Sequence, residues 1–119
     1  MRLVYDLHIL KKCRNAKDPL EGCTGFQSDE GNLHKNWERH RVTSEEAEDV
    51  FFNAPLVVRS DVRHSRFELR YYALGQTSSG RRLFVAFTIR RSLIRVTSVR
   101  DMNTRESDIY AQHEEEADS

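Results

Sequence analysis

The segment from Leu56 to Val99 constrains the fold most, because it is a series of short apolar runs separated by turn residues. Leu56-Val57-Val58 is the first run. Glu68 to Leu74 is the second, with Leu69, Tyr71 and Ala73 on one face and Arg70, Tyr72 and Leu74 on the other. Leu83 to Ile89 and Leu93 to Val99 complete the series. Runs this short with a period near two read as strands. Gln76 to Gly80, with Ser78-Ser79-Gly80, reads as a hairpin turn, and Arg90 to Ser92 as a tight link. Consecutive strands joined so closely pair antiparallel, which predicts a meander.

Upstream the period is helical. Leu33, Asn36, Trp37 and His40 recur at helical spacing over Asn32 to His40, with Trp37 expected in the core. Thr43 or Ser44 then opens a second helix. Thr43 is followed three residues later by Glu46, a capping-box pattern, and Ala47, Val50 and Phe51 supply its buried stripe. Asn53 to Pro55 stops it. Asn103 to about His113 predicts a closing helix capped by Asn103 or Thr104. The fold class expected is α+β: N-terminal helices packed on one face of an antiparallel sheet, with a C-terminal helix. The opposite face is expected to be open and lined by arginines.

A chain of 119 residues holds one domain. The expected division is an N-terminal extension over residues 1–25, a domain over residues 26–112 and an acidic tail over residues 113–119. Arg2 to Tyr5 has the make-up of a short strand, and Lys11 to Gly25 reads as loop or linker. The N-terminus lacks the long apolar stretch and small-residue cleavage site of a secretory signal. No apolar run approaches the roughly 18 residues of a membrane helix. Cys13 and Cys23 have no CxxC partner, so neither a zinc site nor any other metal or cofactor is expected. A cytoplasmic protein with free thiols is the expectation.

Net charge is zero, but its distribution is uneven. From Arg59 to Arg105 there are eleven arginines, no lysine and three acids, a local charge of +8. Acids cluster elsewhere, at Glu45, Glu46, Glu48 and Asp49 and again from Glu114 to Asp118. Arginine is planar, always charged and bidentate, so a face rich in it suits phosphate. That points to a polyanion partner.

The order of landmarks from Phe26 to Tyr110 resembles the BrnT family. Phe26-Gln27-Ser28-Asp29, Asn36 with Arg39-His40-Arg41-Val42, and Glu45-Glu46-Ala47 with Val50-Phe51 follow its helical half. Asp61, His64 and Glu68-Leu69-Arg70-Tyr71 follow its central motif. Gly75, Gly80-Arg81-Arg82-Leu83, Val85, Ile94-Arg95-Val96-Thr97-Ser98-Val99-Arg100, and Glu106 with Tyr110 complete the series. Two departures stand out: Asn32 replaces a family lysine and Arg41 replaces a glycine. The resemblance implies a RelE-like ribonuclease fold, RNA cleavage without metal that inhibits translation, and neutralisation by a BrnA-like ribbon-helix-helix antitoxin in a hetero-oligomer.

Metal-free RNA cleavage needs a base for the attacking 2′-hydroxyl, an acid for the leaving oxygen and cations for the phosphorus charge. His40 is the candidate acid or base, because histidine titrates near neutrality. Arg70 and Arg95 are the candidate phosphate clamps and complete the expected catalytic set. Arg100, Arg81, Lys35 and Glu68 are expected at the substrate, Glu68 chiefly to orient an arginine. His64 is expected at the surface, and Tyr71, Tyr72 and Phe84 are candidates to stack a base. Val57, Val58 and a helix are expected to lie under the antitoxin. A non-catalytic nucleic-acid-binding module, and a degenerate toxin kept for its partner, remain open alternatives.

Overall fold

The computed structural model describes residues 19–61 and 68–118. The strand read at Arg2 to Tyr5, together with Cys13 and His64, lies outside them. Strand β1 (Gly25–Phe26) leads into helix α1 (Glu30–His40) and helix α2 (Ser44–Asp49), which ends in a 3-10 turn over Val50–Phe52. Strands β2 (Val57–Ser60), β3 (Arg70–Gln76), β4 (Arg82–Arg90) and β5 (Leu93–Asp101) form the meander, and helix α3 (Thr104–Asp118) closes the chain.

Local chemistry sets the helix ends. Asp29 caps α1, its side chain accepting from the Asn32 N–H at 3.0 Å. Arg41 ends α1 at φ 53°, a left-handed position at which glycine is the easy residue. A side chain rarely adopts that backbone, and here the Arg41 guanidinium lies 5.1 Å from the Trp37 ring centroid. Trp37 itself is 45% exposed, so it is not core as expected. It lies on the outer side of α1, while Asn36 points inward and is buried. Thr43 and Glu46 form the expected capping box, each bonding the other's backbone N–H at 3.1 Å.

The sheet order is β1-β5-β4-β3-β2. The four meander strands are antiparallel, as expected, whereas β1 joins the edge parallel to β5. Two residues give no periodicity, so β1 leaves no signal in the sequence. Because successive strand residues face opposite ways, the sheet carries two cores. Ala73, Leu83, Val85, Phe87 and Ile94 pack with Val42, Ala47, Val50 and Phe51 from the first two helices. The 3-10 turn sits hard on β3: a Cβ at Gly75 would meet that of Val50 at 3.0 Å. Leu20 and Cys23 belong to this core too, so the packed body begins before Phe26, inside the stretch expected to be an extension.

The other face is not open throughout. Tyr110 of α3 packs there with Val57 and Leu74, against Tyr72, Phe84 and Met102. Val57 is thus covered by this chain, and Val58 packs against the larger core. The helix also runs through residues 113–118, expected to be a tail, and Arg82 binds Glu114 at 2.6 Å. α3 covers the end of the sheet where β4 starts and β5 ends. The end at the β4–β5 hairpin stays uncovered by it.

Candidate active site

Register places Arg70 and Arg95 in one row, with Thr88 between them. Arg70 of β3 pairs with Thr88 of β4, and Thr88 pairs with Arg95 of β5. Directly paired residues share a face, so the two arginines stand two strands apart, about 10 Å between backbones. They occupy the face bearing α3, at the end that α3 leaves uncovered. Arg90, two residues beyond Thr88 on β4, shares that face.

Each of these arginines is held by a carboxylate. Arg70 pairs with Asp61 at 3.8 Å. Arg90 grips both oxygens of Glu68 at 2.8 to 3.2 Å. Arg95 donates to Asp29, the same residue that caps α1. The Thr88 hydroxyl in the middle of the row is buried, with the Glu68 carboxylate beside it. The arginine that Glu68 engages is Arg90.

The remaining candidates do other work. Arg81 binds Asp101 at 2.8 Å and Glu46 at 3.1 Å, and donates to the His40 and Arg41 carbonyls at the end of α1. It ties α1, α2, β4 and β5 together. Arg100 grips Glu106 at 2.8 and 2.9 Å and lies 4.2 Å from the Phe84 ring centroid, fastening α3 to β5. Lys35 donates to the Thr97 carbonyl at 3.2 Å, while Asn36 accepts from the Val99 N–H. Both serve backbone beside the register shift that sets Thr97 out of the β4–β5 ladder. Tyr72 stacks on Phe84 and Tyr71 on Phe87, so three aromatic candidates have partners within the fold.

His40 is not brought to the row. Asp29 and His40 mark opposite ends of α1, about 16 Å apart at helical rise. Asp29 meets Arg95 near the start of β5, whereas His40 lies beside Arg81 and Asp101 at its end. The row instead brings in Asp29, Asp61, Thr88 and Arg90, which sequence reasoning did not assign to the site. Asp29 carried a signal as a helix cap, and Thr88 needed only the hairpin register to be placed between the arginines.

These pairs make the fold acid-sensitive. The Asn32 N–H, then Arg95, hold the Asp29 carboxyl below its ordinary range. Arg90 does the same for Glu68, and Arg81 for Asp101. At Glu46 and Glu106 burial pushes the other way, but hydrogen bonds from Thr43 and Arg81, and from Arg100, outweigh it. A carboxyl lowered on folding stabilises the fold above its unfolded pKa and loses that contribution as pH falls through the folded value. The urea midpoint is therefore expected to stay level from about pH 6 to 8 and to fall steadily below about pH 4.5. A midpoint unchanged down to about pH 3 would show that the ion pairs do not contribute.

No described helix is long and apolar enough to cross a membrane. Comparison with curated proteins gave no match. A family model described as the ribonuclease toxin BrnT of type II toxin–antitoxin systems matches residues 29–106. That span opens on Asp29, which holds Arg95, and ends on Glu106, which holds Arg100. With the match running from the first helix cap through the whole meander to the start of α3, the chain belongs to the BrnT family of ribonuclease toxins of type II toxin–antitoxin systems.

Proposed function

We propose that the Arg70–Thr88–Arg95 row, with Arg90 beside it, is where this toxin cuts RNA, and that it does so without a metal. The observation that carries this reading is the row itself: a matched family of ribonucleases and guanidinium groups converging on an uncovered sheet end. A guanidinium has five N–H donors, and one carboxylate engages two at most, so a held arginine is aimed yet keeps donors for phosphate. Arg70 and Arg95 take the non-bridging oxygens of the scissile phosphate. The 2′-oxygen attacks phosphorus, the bond to the 5′-oxygen breaks, and a 2′,3′-cyclic phosphate and a 5′-hydroxyl result. Glu68 keeps Arg90 aimed at the same phosphate, and the 2′-hydroxyl proton passes to solvent. The leaving oxygen takes a proton from solvent, and the arginines stabilise the charge that builds on phosphorus. His40 lies too far along α1 to share this step in the present fold.

In the cell this cleavage inhibits translation in the cytoplasm, and a BrnA-like ribbon-helix-helix antitoxin silences it in a hetero-oligomer. The type II family supports an antitoxin partner. A non-catalytic reading draws on Asn32: the family lysine it replaces would stand in the first turn of α1, three residues from Asp29. The two readings part in one assay. Purified toxin is expected to cut a labelled single-stranded RNA at an unchanged rate in excess chelator, leaving cyclic phosphate ends. Cleavage abolished by chelator would overturn the metal-free step, and binding without cleavage would favour the non-catalytic reading.

A further inference from the structure

The β4–β5 hairpin turns on two residues, Arg91 and Ser92, since Arg90 pairs with Leu93 on either side of them. Both have left-handed backbones, at φ 51° and 66°. A two-residue turn with both central φ values positive is normally built from Asn-Gly or similar pairs, because a Cβ is disfavoured there. Neither Arg91 nor Ser92 is of that kind. Strain persists where the surroundings over-determine it, and they do so at this tip. The ladder fixes both flanks, and the Thr24 N–H, just ahead of β1, donates to the Ser92 carbonyl at 2.8 Å.

The side chain at the tip explains what the backbone does not. Arg91 is exposed, and it makes no hydrogen bond or ion pair among the described residues. Arg41, the other arginine with a positive φ, is occupied on Trp37. The arginines of the row are all occupied by carboxylates. Arg91 lies three positions along the chain from Thr88, about 10 Å of backbone. That distance is within the reach of one nucleotide of a strand whose scissile phosphate lay on the row.

We propose that Arg91 grips the RNA strand at a phosphate next to the one that is cut, and that the hairpin tolerates its strained backbone for the sake of that side chain. This rests on the placement of the cleavage site at the row. Arg91, with no carboxylate engaging it among the described residues, makes the first contact, and the arginines of the row follow once phosphate is delivered. The contact is with phosphate and carries no base preference.

The test sets stability against binding. The probe is a short fluorescein-labelled 2′-O-methyl RNA, which lacks the attacking hydroxyl and survives the titration. Arg91→Gly is expected to raise the melting temperature by roughly 2–4 °C as the strain is relieved. The same change should weaken binding about fivefold and lower the slope of log K against log salt by about 0.7, the loss of one phosphate contact. Ser92→Gly should raise the melting temperature and leave binding unchanged. An Arg91→Gly protein that melts higher but binds as the wild type does would overturn the proposal and leave the row standing. Glycine variants that both melt lower would overturn it as well, since the tip would hold no strain. Wild type that fails to bind RNA at all would remove both the proposal and the reading beneath it.

Discussion

Replacing Arg95 with alanine is expected to cut the rate of RNA cleavage by about 10²–10³-fold while leaving the fold in place. The magnitude follows from what the residue would do. A fixed donor aimed at charge that develops on the reacting group acts far more strongly on the transition state than on bound substrate. The prediction for stability follows from Asp29. Its carboxylate stays bound to the Asn32 N–H as the cap of α1, and it is not sealed from water, so losing Arg95 does not strand a buried charge. Arg95→Lys keeps the charge but not the fork and should retain only part of the rate. Arg70→Ala should follow Arg95→Ala, because register puts both on one row. Arg105→Ala removes an exposed arginine on α3 and should leave the rate unchanged. The measurement is single-turnover cleavage of labelled RNA beside a thermal melt, with growth arrest on induced expression as the cellular counterpart. An Arg95→Ala protein that cleaves at the wild-type rate would remove the row from the chemistry.

The same row shows how far the sequence carries. Strand period and turn residues point to the meander, its order and the faces of β3, and the Thr43–Glu46 spacing to a capping box. The family's order of landmarks brings Arg70 and Arg95 into view together. Periodicity fails where an element is too short or its partner too distant. β1 is two residues long and is a strand only because β5 offers it an edge. Leu20 and Cys23 sit in a polar stretch and are core only because the sheet and α2 leave room there. Arginine is the hardest residue to read. Arg81, Arg95 and Arg100 look alike in the chain, yet one staples elements, one stands in the row and one fastens α3. What separates them is which carboxylate the fold brings near, and that is a tertiary fact. His40 shows the converse: helical spacing locates it on α1 but says nothing of which end of the sheet that end of α1 meets.

Tyr110→Ala is expected to cost about 3–5 kcal/mol and to undock α3 in particular. Tyr110 is fully buried and is, among the described residues, the α3 member of the smaller core, where it packs with Val57 and Leu74 while Arg82 lies over its ring. The rest of α3 is held by ion pairs, Arg100 with Glu106 and Arg82 with Glu114. Partly exposed pairs of this kind contribute little by themselves, so they cannot keep the helix docked once the ring is gone. The larger core on the other face does not include α3 and should survive. Hydrogen exchange is therefore expected to show α3 amides losing protection while β3, β4 and β5 keep theirs at moderate temperature. Tyr110→Phe tests the hydroxyl separately. It removes the donor to the buried Pro55 carbonyl, a bond of 2.8 Å, and should cost about 1–3 kcal/mol without undocking the helix. If exchange rose equally in every strand of Tyr110→Ala, the two faces would unfold as one unit and the division into two cores would be one of geometry alone. If α3 stayed protected, the ion pairs of Arg82 and Arg100, rather than the Tyr110 ring, would be what docks the helix.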